Sequence, residues 1–172
     1  MKVKADLAVA KKSKRNGFWL MKSEPHLFSI DDLAVMPNQT SYWHGVRNYQ
    51  ARNLLRDDFR IGDKALFYHS SCAVPAVVGT AVVVRSGYPD HTAWDKNADY
   101  FDPKSSEDKP RWYMVDVQLT KKLSRPVTLA EMRTSTELEG MALLRKGNRL
   151  SIQPVTAKEF SHVLKMALSG VT

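Results

Sequence analysis

Three times the chain repeats one local pattern, and each repeat fixes where a helix begins. In "FSIDDL" Ser29 is followed three residues on by Asp32, with Phe28 and Leu33 on either side. "VTLAEM" repeats this with Thr128, Glu131, Val127 and Met132, and "VTAKEF" with Thr156, Glu159, Val155 and Phe160. In such a box the cap oxygen accepts a first-turn N–H, the acid returns to the cap's own N–H, and the apolar pair sets the entry angle. The last start runs into "EFSHVLKMAL", where Phe160, Val163, Leu164 and Ala167 form an apolar stripe. Between the helices lie strand-like runs at residues 18–22, 64–70, 76–86, 111–119 and 149–155. The second-last alternates cleanly, with Tyr113, Val115, Val117 and Leu119 on one face and Trp112, Met114, Asp116 and Gln118 on the other. In the last, Leu150 and Ile152 are expected inward and Ser151 and Gln153 outward, while Gly79 marks a bulge in the third. Short helices among strands, without a βαβ rhythm, predict an α+β fold. A small, partly open barrel with helices packed on its ends fits the order.

The bulk numbers support one domain. The chain has 172 residues, 43% of them hydrophobic, and no apolar run near the length of a membrane span. A weak apolar patch at Leu7–Ala10 precedes positive charge, the wrong order for a secretory signal, so an intracellular location is expected. One cysteine, Cys72, gives neither an internal disulfide nor a cysteine-rich zinc site. The formal charge of +8 invites a nucleic-acid partner but is unevenly spread. Residues 1–17 hold six Lys and Arg against Asp6, a net +5, and the remaining residues only +3. Residues 1–17 are therefore expected to be a flexible basic tail, 18–168 the domain and 169–172 a C-terminal tail. "KKSKR" within the first tail fits nuclear import, a phosphate-binding arm, or simply a solvated tail. Nuclear residence is the expectation, with the cytoplasm as the alternative, and a monomer is expected.

Two segments carry more chemistry than folding requires. Residues 87–110 form a connection of 24 residues without a sustained period, yet with Tyr88, Trp94, Tyr100 and Phe101. An ordered loop packed over one mouth of the barrel is expected. "YWHGVRNYQARN" (residues 42–53) packs aromatics, Arg, Asn and Gln together where a helix begins. With Asn48 as N-cap, residues 49–59 predict a helix whose Ala51, Leu54, Leu55 and Phe59 face the core and whose Arg52 and Arg56 face solvent or phosphate. Arg47 sits at the positive end of that helix dipole, where a cation answers to a fixed anion, carboxylate or base edge. The structural alternative is a buried Arg paired with an internal acid.

Other features are weaker. Trp19 and Trp43 suit either a planar ligand or the core. "KSEP" and "YHSS" end two strands in polar side chains and have ordinary strand exits as their alternative. Cys72 near His69 lacks the setting of a nucleophile and base, and Asp90, His91 and Asp95 match no metal-ligand spacing. No phosphate loop, zinc-protease motif or nucleophile elbow occurs. No catalytic residue, metal or cofactor is expected.

"FWLMKSEP", "SIDDL", "WHGVRNYQARNLLRD", "GDKALFYHSS", "YPDHTAWDKNADYFDPKS", "PRWYMVDVQL" and "NRLSIQPVTAKEF" together resemble the EVE domain family, in order and spacing, over residues 18–168. The resemblance implies a fold similar to PUA, ASCH and YTH domains: a curved, partly open mixed β-barrel flanked by short helices. It implies a non-catalytic nucleic-acid-binding module, DNA or RNA, that reads a modified base: 5-methylcytosine, an oxidised form of it, or a modified RNA base. The rival readings are an enzyme on a nucleotide or modified base, and a small-molecule or protein-interaction module. Carried onto matching words, the resemblance implies a pocket of Lys22, Ser23, Glu24, Trp43, Arg47, Asn48, Tyr68, His69, Ser70, Arg149 and Ser151, with Arg52 and Arg56 as phosphate contacts and Lys22 as a further backbone-positioning charge. Trp43 and Tyr68 would wall a flipped base, Glu24 would accept from a cytosine amine, and Arg47, Asn48 and Ser70 would meet O2, N3 or phosphate oxygens. One departure stands out. His44 occupies the place of an acid in the family's "WDGVRN", which leaves Arg47's partner open.

Overall fold

The computed structural model describes residues 16–170. The basic tail, apart from Asn16 and Gly17, and the last two residues of the C-terminal tail lie outside the described residues. Six strands form one sheet: β1 (Phe18–Ser23), β2 (Thr40–Tyr42), β3 (Lys64–His69), β4 (Ala76–Pro89), β5 (Tyr113–Thr128) and β6 (Ile152–Val155). Their order is β2-β5-β4-β3-β1-β6. Only β1 and β3 run parallel; the other neighbours are antiparallel. The order ends on β2 and β6 rather than returning on itself, so the barrel is open. β4 and β5 pair over most of their length with four register shifts, and each shift bends the ladder and tightens its twist. Gly79 lies at one of them, as expected. A Cβ there would come within 2.6 Å of the Lys121 carbonyl and run into Ile30, so only glycine lets the first helix settle onto the sheet.

Four α-helices accompany the sheet among the described residues: α1 (Ile30–Val35), α2 (Tyr49–Asp57), α3 (Leu129–Arg133) and α4 (Ala157–Leu168). All three predicted capping boxes are present, at Ser29, Thr128 and Thr156. Asn48 caps α2, its side chain accepting from the Ala51 N–H. None of the helices is long and apolar enough to cross a membrane.

Alternation along the strands divides the core in two. Trp19, Met21, Phe67, Val83, Val115 and Val117 pack with Ile30 and Leu33 of α1, Ala51 and Leu55 of α2, and Phe59. Leu20, Leu66, Tyr68, Val77 and Val127 pack with Met132 of α3 and Phe160, Val163 and Ala167 of α4. Both faces are therefore covered, which corrects the outward placement of Gln153. It lies opposite Leu20 in the β1–β6 ladder, is 1% exposed, and donates its amide to the Leu150 carbonyl. Trp19 belongs to the core: its indole stacks on Phe59 at 4.2 Å and donates to the Asp63 carboxylate at 2.8 Å. Asp63 also accepts from the Gly17 N–H at 2.7 Å. β2 was not anticipated, because three residues carry no readable period. β4 and β5 run longer than expected, β4 into the long connection and β5 into the cap of α3.

Candidate functional site

At one end of β1 the neighbouring chain segments converge. The Lys22 N–H donates to the Ser151 carbonyl at 2.8 Å, and the Ser70 N–H donates to the Ser23 carbonyl at 2.9 Å. The Ser23 hydroxyl donates to the Phe28 carbonyl, and the Leu27 and Phe28 N–H groups both donate to the Glu24 carbonyl, turning the chain over the strand end. These bonds set Lys22, Ser23, Glu24, Ser70 and Ser151 along a cleft of about 750 Å³. Trp43, Arg47 and Arg149 also line it. Eight of the eleven expected pocket residues are thus brought together.

Arg47 is held by its own protein. Its Nη1 donates to the buried Asp90 carboxylate at 2.9 Å, and Nε and Nη2 donate to the Tyr100 carbonyl at 3.0 and 2.7 Å. The guanidinium lies 5.4 Å from the centre of the Trp112 ring. Asp90 accepts further from the Gly45 N–H at 2.9 Å and the Thr92 hydroxyl at 2.6 Å. Burial works to raise the Asp90 pKa, but the bonds from Thr92, Gly45 and Arg47 prevail and hold its carboxyl below the ordinary range. At 2.9 Å the Arg47–Asp90 contact is an internal ion pair, and Asp90 is the acid left open by His44. The pair ties residues 90–102 to the start of α2. Within the long connection, Thr92 N–H, Asn97 N–H and Lys104 N–H are taken by Asp90, Asp95 and Asp102 respectively. The loop is ordered and borders the cleft through Asp99 and Tyr100.

Three expected pocket residues lie elsewhere. Asn48 is occupied as the cap of α2. Tyr68 alternates with Phe67 on β3, which turns it into the second core at 3% exposure. His69 accepts the Ile30 N–H on Nε2 at 3.1 Å, and its ring meets Phe67 edge-on. Burial lowers its pKa, so the neutral ring that this bond requires is favoured. Arg52 and Arg56 lie on α2, outside the cleft lining. Arg52 donates to the Arg111 carbonyl and lies over the Tyr49 ring, while Arg56 pairs with Asp57.

The cleft contains residues not singled out beforehand. Tyr42, His44 and Tyr100 form a chain of edge contacts at 5.0 and 5.8 Å along it. Tyr42 and Tyr100 are exposed, whereas Trp43 is buried and meets Phe67 edge-on. Tyr42 and His44 stand inside the flagged 42–53 stretch, and Tyr100 was among the aromatics of the long connection. Leu27 and Met36 add apolar lining for which no sequence signal existed, and Phe28, expected only as the apolar flank of the first capping box, joins them. Among the described residues no group of three or more His, Cys, Asp or Glu is placed to hold a metal.

The EVE domain family profile matches residues 17–166. The chain belongs to the EVE domain family. Human thymocyte nuclear protein 1 is 46% identical over 165 residues, covering 86% of this chain and 72% of that protein. A crystal structure of human THYN1 in complex with DNA containing 5-methylcytosine shares 44% identity at a TM-score of 0.82, covering 88% of this chain and 98% of that one. A YTH domain from Zygosaccharomyces rouxii, at 13% identity and a TM-score of 0.53, covers 91% of this chain and 89% of its own and shares the fold alone. The EVE domain here is thus an α+β, PUA-like open barrel, as its motifs implied. Its cleft gathers the ends of β1 and β3, the start of β6, the approach to α2 and the 90–102 loop.

Proposed function

We propose that this EVE domain is a non-catalytic nucleic-acid-binding module whose cleft receives one modified base, 5-methylcytosine or an oxidised form of it. One coincidence carries the reading. The polar-aromatic cleft belongs to a chain 44% identical to a protein crystallised with DNA containing 5-methylcytosine. The cleft's size suits a small ligand, since such sites run to about 300–1,000 Å³. A flipped base needs an aromatic wall and partners for its pairing edge. Trp43, Tyr42 and Tyr100 supply aromatic surface, and Glu24 an acceptor for the cytosine amine. Arg47 serves by fixing the Tyr100 side of the cleft. Asn48, Tyr68 and His69 support the site from behind, and Arg52 and Arg56 position the nucleic-acid backbone outside it. The domain acts as a monomer, behind a basic tail, in the nucleus.

The test is a fluorescence titration at fixed salt with single-stranded and duplex oligonucleotides. Each carries one cytosine, 5-methylcytosine, 5-hydroxymethylcytosine or N6-methyladenine, and the oligonucleotides are examined for chemical change afterwards. The expected result is at least about tenfold preference for a modified cytosine, roughly 1.4 kcal/mol, reduced by Glu24→Gln, with the oligonucleotides recovered unchanged. Equal affinity for all four sinks the base-reading claim, and conversion of any of them sinks the non-catalytic one.

A further inference from the structure

One corner of the cleft holds cations without anions. Lys22 is half-buried, and its ammonium has neither a hydrogen bond nor an ion pair among the described residues. Burial lowers its pKa, and no neighbouring carboxylate counters that. Arg149 lines the same cleft two residues before Ser151, whose carbonyl takes the Lys22 N–H, and its guanidinium is likewise unpaired among the described residues. Ser70 and Ser151 line the same cleft, and neither hydroxyl has a hydrogen-bond partner among the described residues. The acids of the cleft do not neutralise it: Glu24 sits 3.4 Å from His26, and Asp99 is on the exposed loop. Arg47 shows how this fold treats a cation it uses for structure, surrounding it with a carboxylate and two carbonyls. A lysine left half-desolvated with no such shell loses hydration without compensation, and a bound anion would supply it.

We propose that Lys22 and Arg149, with the Ser70 and Ser151 hydroxyls, form an oxyanion subsite within the cleft. Its ligand is a phosphate or a carboxylate. It rests on the base-reading function above in one respect: the anion enters as part of the nucleotide, either the 5′-phosphate of the flipped residue or a carboxylate on the base. Two cations and two hydroxyl donors match the charge and the several acceptor oxygens of such a group. A neutral base offers only one or two oxygens and no charge.

Calorimetry on the full chain with 2′-deoxycytidine, 5-methyl-2′-deoxycytidine, its 5′-monophosphate and 5-carboxy-2′-deoxycytidine tests this. It is paired with NMR of labelled lysine side chains titrated with inorganic phosphate. An anionic ligand should bind at least about tenfold more tightly than the neutral methylated nucleoside. That ratio should fall toward one in both Lys22→Gln and Arg149→Gln, and phosphate should shift one lysine signal that is absent from Lys22→Gln. A gain with the monophosphate identifies the backbone as the source, and a gain with the carboxylate identifies the base. No gain with either anion, or a gain that survives both variants, overturns the subsite. Arg149 is exposed, so its variant carries the test even if Lys22→Gln does not fold. The methylated and unmodified nucleosides report on base reading independently. If they bind equally while the phosphate gain persists, base reading fails and the subsite stands; discrimination without an anion gain gives the reverse.

Discussion

Arg47 and Lys22 line the same cleft, and from composition alone they are equivalent cations. The fold treats them oppositely. Around Arg47 it places the Asp90 carboxylate and the Tyr100 and Val46 carbonyls, so that most guanidinium donors are committed before any ligand arrives. Around Lys22 it places burial and no counter-charge. Removing one partner of a buried pair leaves the other desolvated and unmatched, whereas removing a cation with no partner strands nothing. The first corner is a fastening and the second a receptor, and the two should respond differently to the same kind of mutation.

The sharpest way to break this contrast is Asp90→Ala. It strands Arg47 and leaves the Gly45 N–H and Thr92 hydroxyl without their acceptor. A loss of about 3 kcal/mol is expected from the denaturation midpoint at constant m-value. A loss below about 1 kcal/mol would make the pair an exposed, water-screened one and dissolve the distinction. The pH dependence follows from the depressed Asp90 pKa. A carboxyl whose folded pKa lies below its unfolded value of about 3.9 contributes stability that is full above that value and is lost as pH falls through the folded one. Asp90→Asn should therefore lower stability at neutral pH and flatten the acid limb of the stability curve, as followed by thermal melts between pH 2 and 7. A smaller effect is expected from Gly45→Ala. Gly45 has φ +79° and an added Cβ would lie 2.6 Å from the Tyr100 ring, so strain and a displaced ring together cost about 2 kcal/mol. Nucleic-acid affinity should fall with it if Tyr100 walls the base, and unchanged affinity removes Tyr100 from that role.

These residues also mark how far the sequence could be followed. Caps are local chemistry, so Ser29, Asn48, Thr128 and Thr156 could be found from neighbours three residues away. Strand ends were legible only as polar exits, and it was the family resemblance that implied the meeting of "KSEP", "YHSS" and "RLSIQPV" at one cleft. What escaped was orientation. Tyr68 and His69 follow one another on β3, and a period of two sends Tyr68 into the second core, a fact decided by helices α3 and α4 covering a face that looked free. The same covering turned Gln153 inward. Partnership escaped too, because Arg47 and Asp90 are 43 residues apart and nothing local ties them. His44, in the place of an acid, suggested a missing partner; the fold supplies one from the long loop.

The smaller effects sharpen the comparison from its other side. Lys22→Met should leave the denaturation midpoint unchanged or raise it, within about 0.5 kcal/mol, because it removes a desolvated charge and leaves no group unmatched. A loss comparable to that of Asp90→Ala would mean that Lys22 has a structural partner and that the two corners are alike. Arg56→Ala should do least. Its guanidinium is on the exposed face of α2 and already shared with Asp57, so stability should not change. As an outlying phosphate contact it should lower affinity evenly across sequences and flatten the slope of log affinity against log salt by at most about 0.9. Lys22→Met, by contrast, should weaken anionic ligands selectively. If Arg56→Ala alters preference among bases while Lys22→Met lowers affinity uniformly, the nucleotide lies along α2 and the cleft between β1 and β6 is not its seat. An unchanged salt slope for Arg56→Ala removes Arg56 from the interface and leaves phosphate contact to Arg52 and the Lys22 corner.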